Sequence, residues 1–241
     1  MNNIYKSNNN KVPTDFATEG ALKDAGFEPI QSSEDWPRIA RTKQALLKKW
    51  TNSIGFPTCI KNVIEKSVLN NYQYHSAVVK YKIGLGSEGT QPEVDLLVLA
   101  NKKNSTKESI VIVVVLDDGK DMEIVQDWLS KQNDNQNNES RTDRLEKLYE
   151  SLDQKIVDKN DQSIRYLLLH RTASALIEAE RFEASSAVVL IHSFSQSNKH
   201  FEDFNTFLDP FNKQTNNVVY VGKRKDIDLY LAWVTEEPEF L

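Results

Sequence analysis

Asp95, Asp118 and Lys120 are residues whose types and spacing answer to one chemistry. Asp95 opens the apolar run Leu96–Ala100, and Asp118-Gly-Lys120 follows closely on the run Ile110–Leu116. Carried on neighbouring strands, the two carboxylates would ligate one Mg²⁺ against a scissile phosphate. The lysine would stabilise or activate the attacking water. Alternate residues of an extended strand share a face, so Asp118 and Lys120 would point the same way. Glu65 lies off the apolar stripe of its own helical segment and is expected to approach the same ion. Asp117-Asp-Gly-Lys120 equally suits a polar turn that closes a strand.

A second polar pattern lies within Leu167–Phe182. Arg171, Ser174, Glu178 and Arg181 recur at spacings of three and four, opposite Leu169, Ala173, Leu176 and Ile177. A helix with those positions has an apolar side and a chemical side. Arg171 and Arg181 are candidate phosphate contacts there, while Arg171 with Glu178, or Glu178 with Arg181, would also serve as surface ion pairs of small energetic value. A small-molecule site on this face is a further alternative. His170, with no partner fixed by the sequence, reads as a structural histidine.

The elements that must position these groups follow in order. Arg38, Arg41, Lys43, Lys48 and Lys49 surround the spacing Trp36, Ile39, Leu46, Leu47, Trp50, which predicts a basic amphipathic segment over 34–52. Lys48 and Lys49 are its nucleic-acid-binding candidates, against the alternative of a solvated face. Pro57 opens a helix with the stripe Ile60, Val63, Ile64, Val68. Strands are predicted at about 76–84, 93–100, 109–116 and 187–193. A short helix at 122–129, a polar loop at 131–139, and helical spacing in Leu145, Leu148, Tyr149 and Leu152 lie between. Asp161 is the expected N-cap of the central helix. Phe201, Phe204, Phe207, Leu208 and Phe211 form an aromatic helix stripe, and Val218–Val221 with Leu229–Val234 form a hairpin.

The chain has 241 residues and a net charge of -5, which argues against a general polyanion binder and requires any nucleic-acid affinity to be local. Its single cysteine, Cys59, excludes a disulfide framework and is expected to exclude a cysteine zinc site. Without an apolar signal core or a long apolar span, the expectation is a cytoplasmic protein with no membrane partner. Residues 1–15 are expected to be a disordered tip and 16–241 one domain. The oligomeric state is not legible.

The order helix, three strands, helix, strand resembles the αβββαβ core of the PD-(D/E)xK nucleases. The implied fold class is α/β, restriction-endonuclease-like, with a mixed sheet, an N-terminal helical extension and a C-terminal hairpin. Arg165-Tyr-Leu-Leu-Leu-His-Arg-Thr-Ala-Ser-Ala-Leu-Ile-Glu-Ala-Glu-Arg-Phe182, with Ala187–Ser195 and Phe201-Glu-Asp-Phe204, is similar to an uncharacterised family of bacterial domains. Glu34-Asp-Trp36, Gly55-Phe-Pro57, Asp95–Ala100 and Leu231–Val234 extend the similarity over most of the chain beyond residue 30. Members carry a Val-Glu-Gly-Lys-like motif on the third strand. An ungapped comparison places Val114 and Leu116 at its Glu and Lys, and a gapped one places Asp118 and Lys120 there. The resemblance therefore implies a metal-dependent nuclease with Asp95 and Asp118 on Mg²⁺, or a non-catalytic relative that binds nucleic acid or protein.

Overall fold

Four unbroken apolar runs become the middle of one sheet, since strands covered on both faces have no solvent side to mark with polar residues. The computed structural model describes residues 4–6, 28–29, 41–83, 93–105, 108–117, 122–131, 138–152, 162–195, 199–209 and 218–236. Its elements are β1 (Ile4–Lys6), β2 (Glu28–Pro29), α1 (Arg41–Asn52), α2 (Thr58–Glu65), β3 (Tyr72–Lys82), β4 (Glu93–Lys102), β5 (Ser109–Asp117), α3 (Val125–Ser130), α4 (Asn138–Ser151), α5 (Tyr166–Arg181), β6 (Ser186–Ser193), α6 (Lys199–Leu208), β7 (Val219–Arg224) and β8 (Ile227–Thr235).

The eight strands form a mixed sheet in the order β2-β1-β3-β4-β5-β6-β8-β7. The meander β3, β4, β5 is antiparallel, and β5, β6 and β8 run parallel to one another. Parallel neighbours require a crossover, and α3 to α5 supply it between β5 and β6. Alternation along β5 divides the core. Val111, Val113 and Val115 meet α5 and its neighbours on one face, while Ile110, Ile112, Val114 and Leu116 meet α1 and α2 on the other.

Several expectations change. Ile4–Lys6, placed in a disordered tip, pairs in parallel with Ala77–Val79; the rest of 1–15 lies outside the described residues. The segment expected to be a helical extension is, from Arg41 onward, part of the main fold. Leu46, Leu47 and Trp50 of α1 are buried in the core beside Ile60 and Ile64, and burying each such side chain contributes about 1.5–3 kcal/mol. Val68 falls beyond the end of α2 and is exposed. Asp161 lies outside the described residues, and the central helix starts at Tyr166 with Arg165 in the capping position and no side-chain cap bond. Phe211 also lies outside the described residues. The helix buries Leu169 and Ala173 as expected, whereas Ile177 is only partly covered.

Candidate functional site

Asp95 marks the point where two central strands part. The β4–β5 ladder runs from Asn101↔Ser109 to Leu96↔Val114 and ends there. Beyond it Asp95 Oδ2 accepts the Leu116 N–H at 3.1 Å, and Lys43 Nζ of α1 lies 2.8 Å from Oδ1. Val114 and Leu116 are both buried in the core under α1 and α2. Asp118 and Lys120 lie outside the described residues. Glu65 stands half exposed at the end of α2, where its one described ion pair is to Lys61 at 3.7 Å.

The polar side of α5 is buried rather than solvated. Arg171 Nη2 donates to the Glu93 carbonyl at 2.7 Å, while its Nε and Nη1 are buried without a hydrogen-bond partner. Burial pushes the Arg171 guanidinium below its usual range, against the pull of Asp95. Tyr166 stacks on Trp128 with ring centroids 4.0 Å apart, and His170 follows at 5.8 Å. Burial, then the charges of Arg171 and Arg144, push His170 down to about 3, so it stays neutral. Farther along, Tyr81 of β3 donates to Glu178 Oε2 at 2.9 Å, and Arg181 reaches both groups. Glu178 is 2% exposed, and burial raises its carboxyl above the usual range despite Arg181 and Tyr81. The expected surface ion pairs are thus a polar seam between helix and sheet.

Two further clusters join residues that the sequence reading left apart. At the end of β5, the buried Asp117 carboxylate accepts Ser193 Oγ at 2.6 Å and binds His200 Nδ1 at 2.6 Å. Serine and histidine both engage the acid, so the base does not face the hydroxyl as a nucleophile requires. The cluster ties α6 to the ends of β5 and β6.

On the other face, Cys59 Sγ lies 3.1 Å from Glu236 Oε2 and 3.9 Å from His192 Nε2, with His192 Nε2 3.2 Å from the same carboxylate oxygen. Lys49 pairs with Glu236 Oε1. Burial and Glu236 push the Cys59 thiol up to about 12. Burial alone would raise Glu236, but hydrogen bonds from His192, Lys49 and Cys59 hold it down at about 2. Among the described residues this is the one group of three or more metal-ligating side chains within mutual reach, and Asp95 is not in it. Lys48, half-buried, lines a cavity of about 230 Å³ beside it.

Of the expected site residues, Lys48 and Lys49 thus share a cavity wall, and Arg171 feels the charge of Asp95 while Arg181 serves Glu178. Cys59, His192 and Glu236 were missed; a histidine inside the apolar run Ala187–Phe194 was the one cue. Layers of helix on both faces of a mixed sheet, with polar groups collected at strand ends, define a mixed α/β protein. The chain belongs to the family described as a domain of unknown function (DUF6946), whose profile matches residues 29–238. No curated protein and no solved structure matches it. Among the described residues no helix is long and apolar enough to cross a membrane.

Proposed function

We propose that this protein is a nuclease-like nucleic-acid-binding module that does not cut its ligand. In support, helix α2 leads into three antiparallel neighbours, β3, β4 and β5, and helix α5 leads into β6 parallel to β5, an order that resembles the αβββαβ core of the PD-(D/E)xK nucleases. The observation that carries the non-catalytic reading is the state of Asp95. In the nuclease arrangement the strand acid would turn an oxygen to Mg²⁺, which one or two carboxylates and the substrate phosphate hold. Here one oxygen holds the Leu116 amide and the other a lysine, and the nearby β5 side chains Val114 and Leu116 are core residues. For the ligand, the sequence of α1 holds four basic residues and no acid in its twelve, a local excess of positive charge on an acidic chain. Lys43 and Lys49 pair with Asp95 and Glu236, which leaves Lys48 as the contact to test.

The test is a pair of assays on full-length protein. Plasmid incubated with protein and Mg²⁺ or Mn²⁺ should stay supercoiled. A labelled short duplex should bind at low salt, lose affinity on the order of tenfold or more between 50 and 200 mM salt, and bind more weakly to Lys48→Glu. Lys49 is left intact because it holds Glu236. Mg²⁺-dependent nicking that disappears in Asp95→Asn would overturn the proposal in favour of the catalytic arrangement, with Asp95 and Asp118 on the ion and Lys120 on the water. No binding at any ionic strength would overturn the nucleic-acid reading itself.

A further inference from the structure

We propose that Cys59, His192 and Glu236 form a binding site for a borderline-soft divalent cation of the Zn²⁺ class, separate from the Asp95 strand end. The three residues are placed by regular structure. Cys59 stands in the first turn of α2, and His192 is near the end of β6, paired in parallel with Val234 of β8. Glu236 lies just past β8, where its backbone N–H donates to the Ser193 carbonyl at 2.9 Å and continues the β6–β8 pairing. The sheet thus brings histidine and glutamate together, and α2 lays the thiol over them.

The spacing is that of a coordination shell. Zinc bonds of about 2.3 Å to sulfur, 2.0–2.1 Å to nitrogen and 2.0–2.2 Å to oxygen give ligand-to-ligand edges of roughly 3.3–3.6 Å in a tetrahedron. The three atoms here are 3.1, 3.2 and 3.9 Å apart. A triangle with those sides has a circumradius of about 2.0 Å, so an ion slightly out of its plane meets all three atoms at bonding distance. Thiol and imidazole donors select zinc-like ions over Mg²⁺ or Ca²⁺, which prefer all-oxygen shells. Lys49 takes Oε1 and leaves Oε2 turned toward Cys59 and His192, the outer-shell support that ligating carboxylates use. Glu236 also lines a cavity with Lys48, Asn52 and Ser53, the side from which an ion would enter, and a water would complete a four-coordinate shell. Binding replaces the thiol hydrogen by a sulfur–metal bond and releases that proton to solvent.

Full-length protein, stripped with a chelator, is titrated with Co²⁺ and followed by absorption. One equivalent should bind with a sulfur-to-cobalt charge-transfer band and tetrahedral d–d bands. Zn²⁺ should remove these bands at one equivalent, and a large excess of Mg²⁺ should leave them. Cys59→Ser should abolish the charge-transfer band, and Glu236→Gln should weaken binding tenfold or more. Zinc-edge X-ray absorption of the unmutated protein should find one sulfur at about 2.3 Å with nitrogen or oxygen at about 2.0–2.1 Å, a readout that does not depend on any variant folding. No stoichiometric Co²⁺ binding, or a wild-type spectrum without sulfur ligation, would overturn the site. Neither measurement involves nucleic acid, so the result stands apart from the binding assay.

Discussion

Asp95 Oδ2 accepts the amide proton of Leu116 at 3.1 Å, in the place where a backbone carbonyl of β4 would serve if the ladder continued past Leu96↔Val114. The side chain therefore finishes a hydrogen-bond pattern that the diverging strands leave open. Lys43 of α1 closes over its other oxygen at 2.8 Å and ties the first helix to the sheet.

This geometry separates two substitutions. A repelling acid in a metal site can be removed with little harm, but Asp95→Ala would orphan the Leu116 N–H and is expected to destabilise the protein by about 1–3 kcal/mol. Asp95→Asn keeps an acceptor for that N–H and loses the charge that Lys43 and Arg171 feel, a loss that Asp95→Ala shares, so it should be the milder change of the two. Urea unfolding of both variants measures the difference. Equal stabilities for the two would show that the Leu116 bond contributes nothing.

The core strands were legible because burial on both faces forces unbroken apolar runs, and Val188–Ile191 is of the length that suits a strand. The two-sided helix α5 was legible as a periodicity, but the destination of its polar side was not. Charged residues default to solvent unless partners await them inside, and the partners come from afar. Tyr81 is 97 residues from Glu178, and the Glu93 carbonyl is 78 from Arg171. Cys59 and His192 are separated by 133 residues, so neither could nominate the other. Asp117 looked like half of a turn because Ser193 and His200, its partners, belong to later elements. Long-range pairing of polar groups leaves no local period to read.

His170 gives the fold an acid limit. Burial and two arginines depress its folded value to about 3, whereas an unfolded chain titrates near 6.5. A depressed group supports the fold above the unfolded value and withdraws that support as pH falls toward the folded one. Between about pH 6.5 and 3 the unfolded state takes a proton that the folded state refuses, with a limiting slope of about 1.4 kcal/mol per pH unit. His170→Gln cannot take that proton. Its loss of stability relative to wild type should be largest at neutral pH and shrink through this window, measured by urea midpoints at half-unit steps. A difference independent of pH would remove the histidine as the source.

The Glu178 seam titrates with the opposite sign. Burial raises its carboxyl above the usual range, and Arg181 with Tyr81 offset only part of that. A raised group supports the fold fully below its unfolded value, near 4.3, and loses that contribution as pH rises through the folded one. Glu178→Gln keeps an acceptor for the Tyr81 O–H 2.9 Å away and has no charge to desolvate, so at neutral pH it should lie within about 1 kcal/mol of wild type, because replacing a buried ion is often neutral. Arg181→Met leaves the buried carboxylate to Tyr81 alone. It should destabilise by about 1–3 kcal/mol at neutral pH, less than the loss of a fully buried partner because Arg181 is about one-quarter exposed. The deficit should narrow as pH falls and Glu178 takes up its proton. Unfolding midpoints from pH 4.5 to 8 distinguish the outcomes. An Arg181→Met deficit that stays constant with pH would mean that Arg181 acts through packing on Phe182, whose ring lies 5.2 Å from its guanidinium, and not through the charge of Glu178.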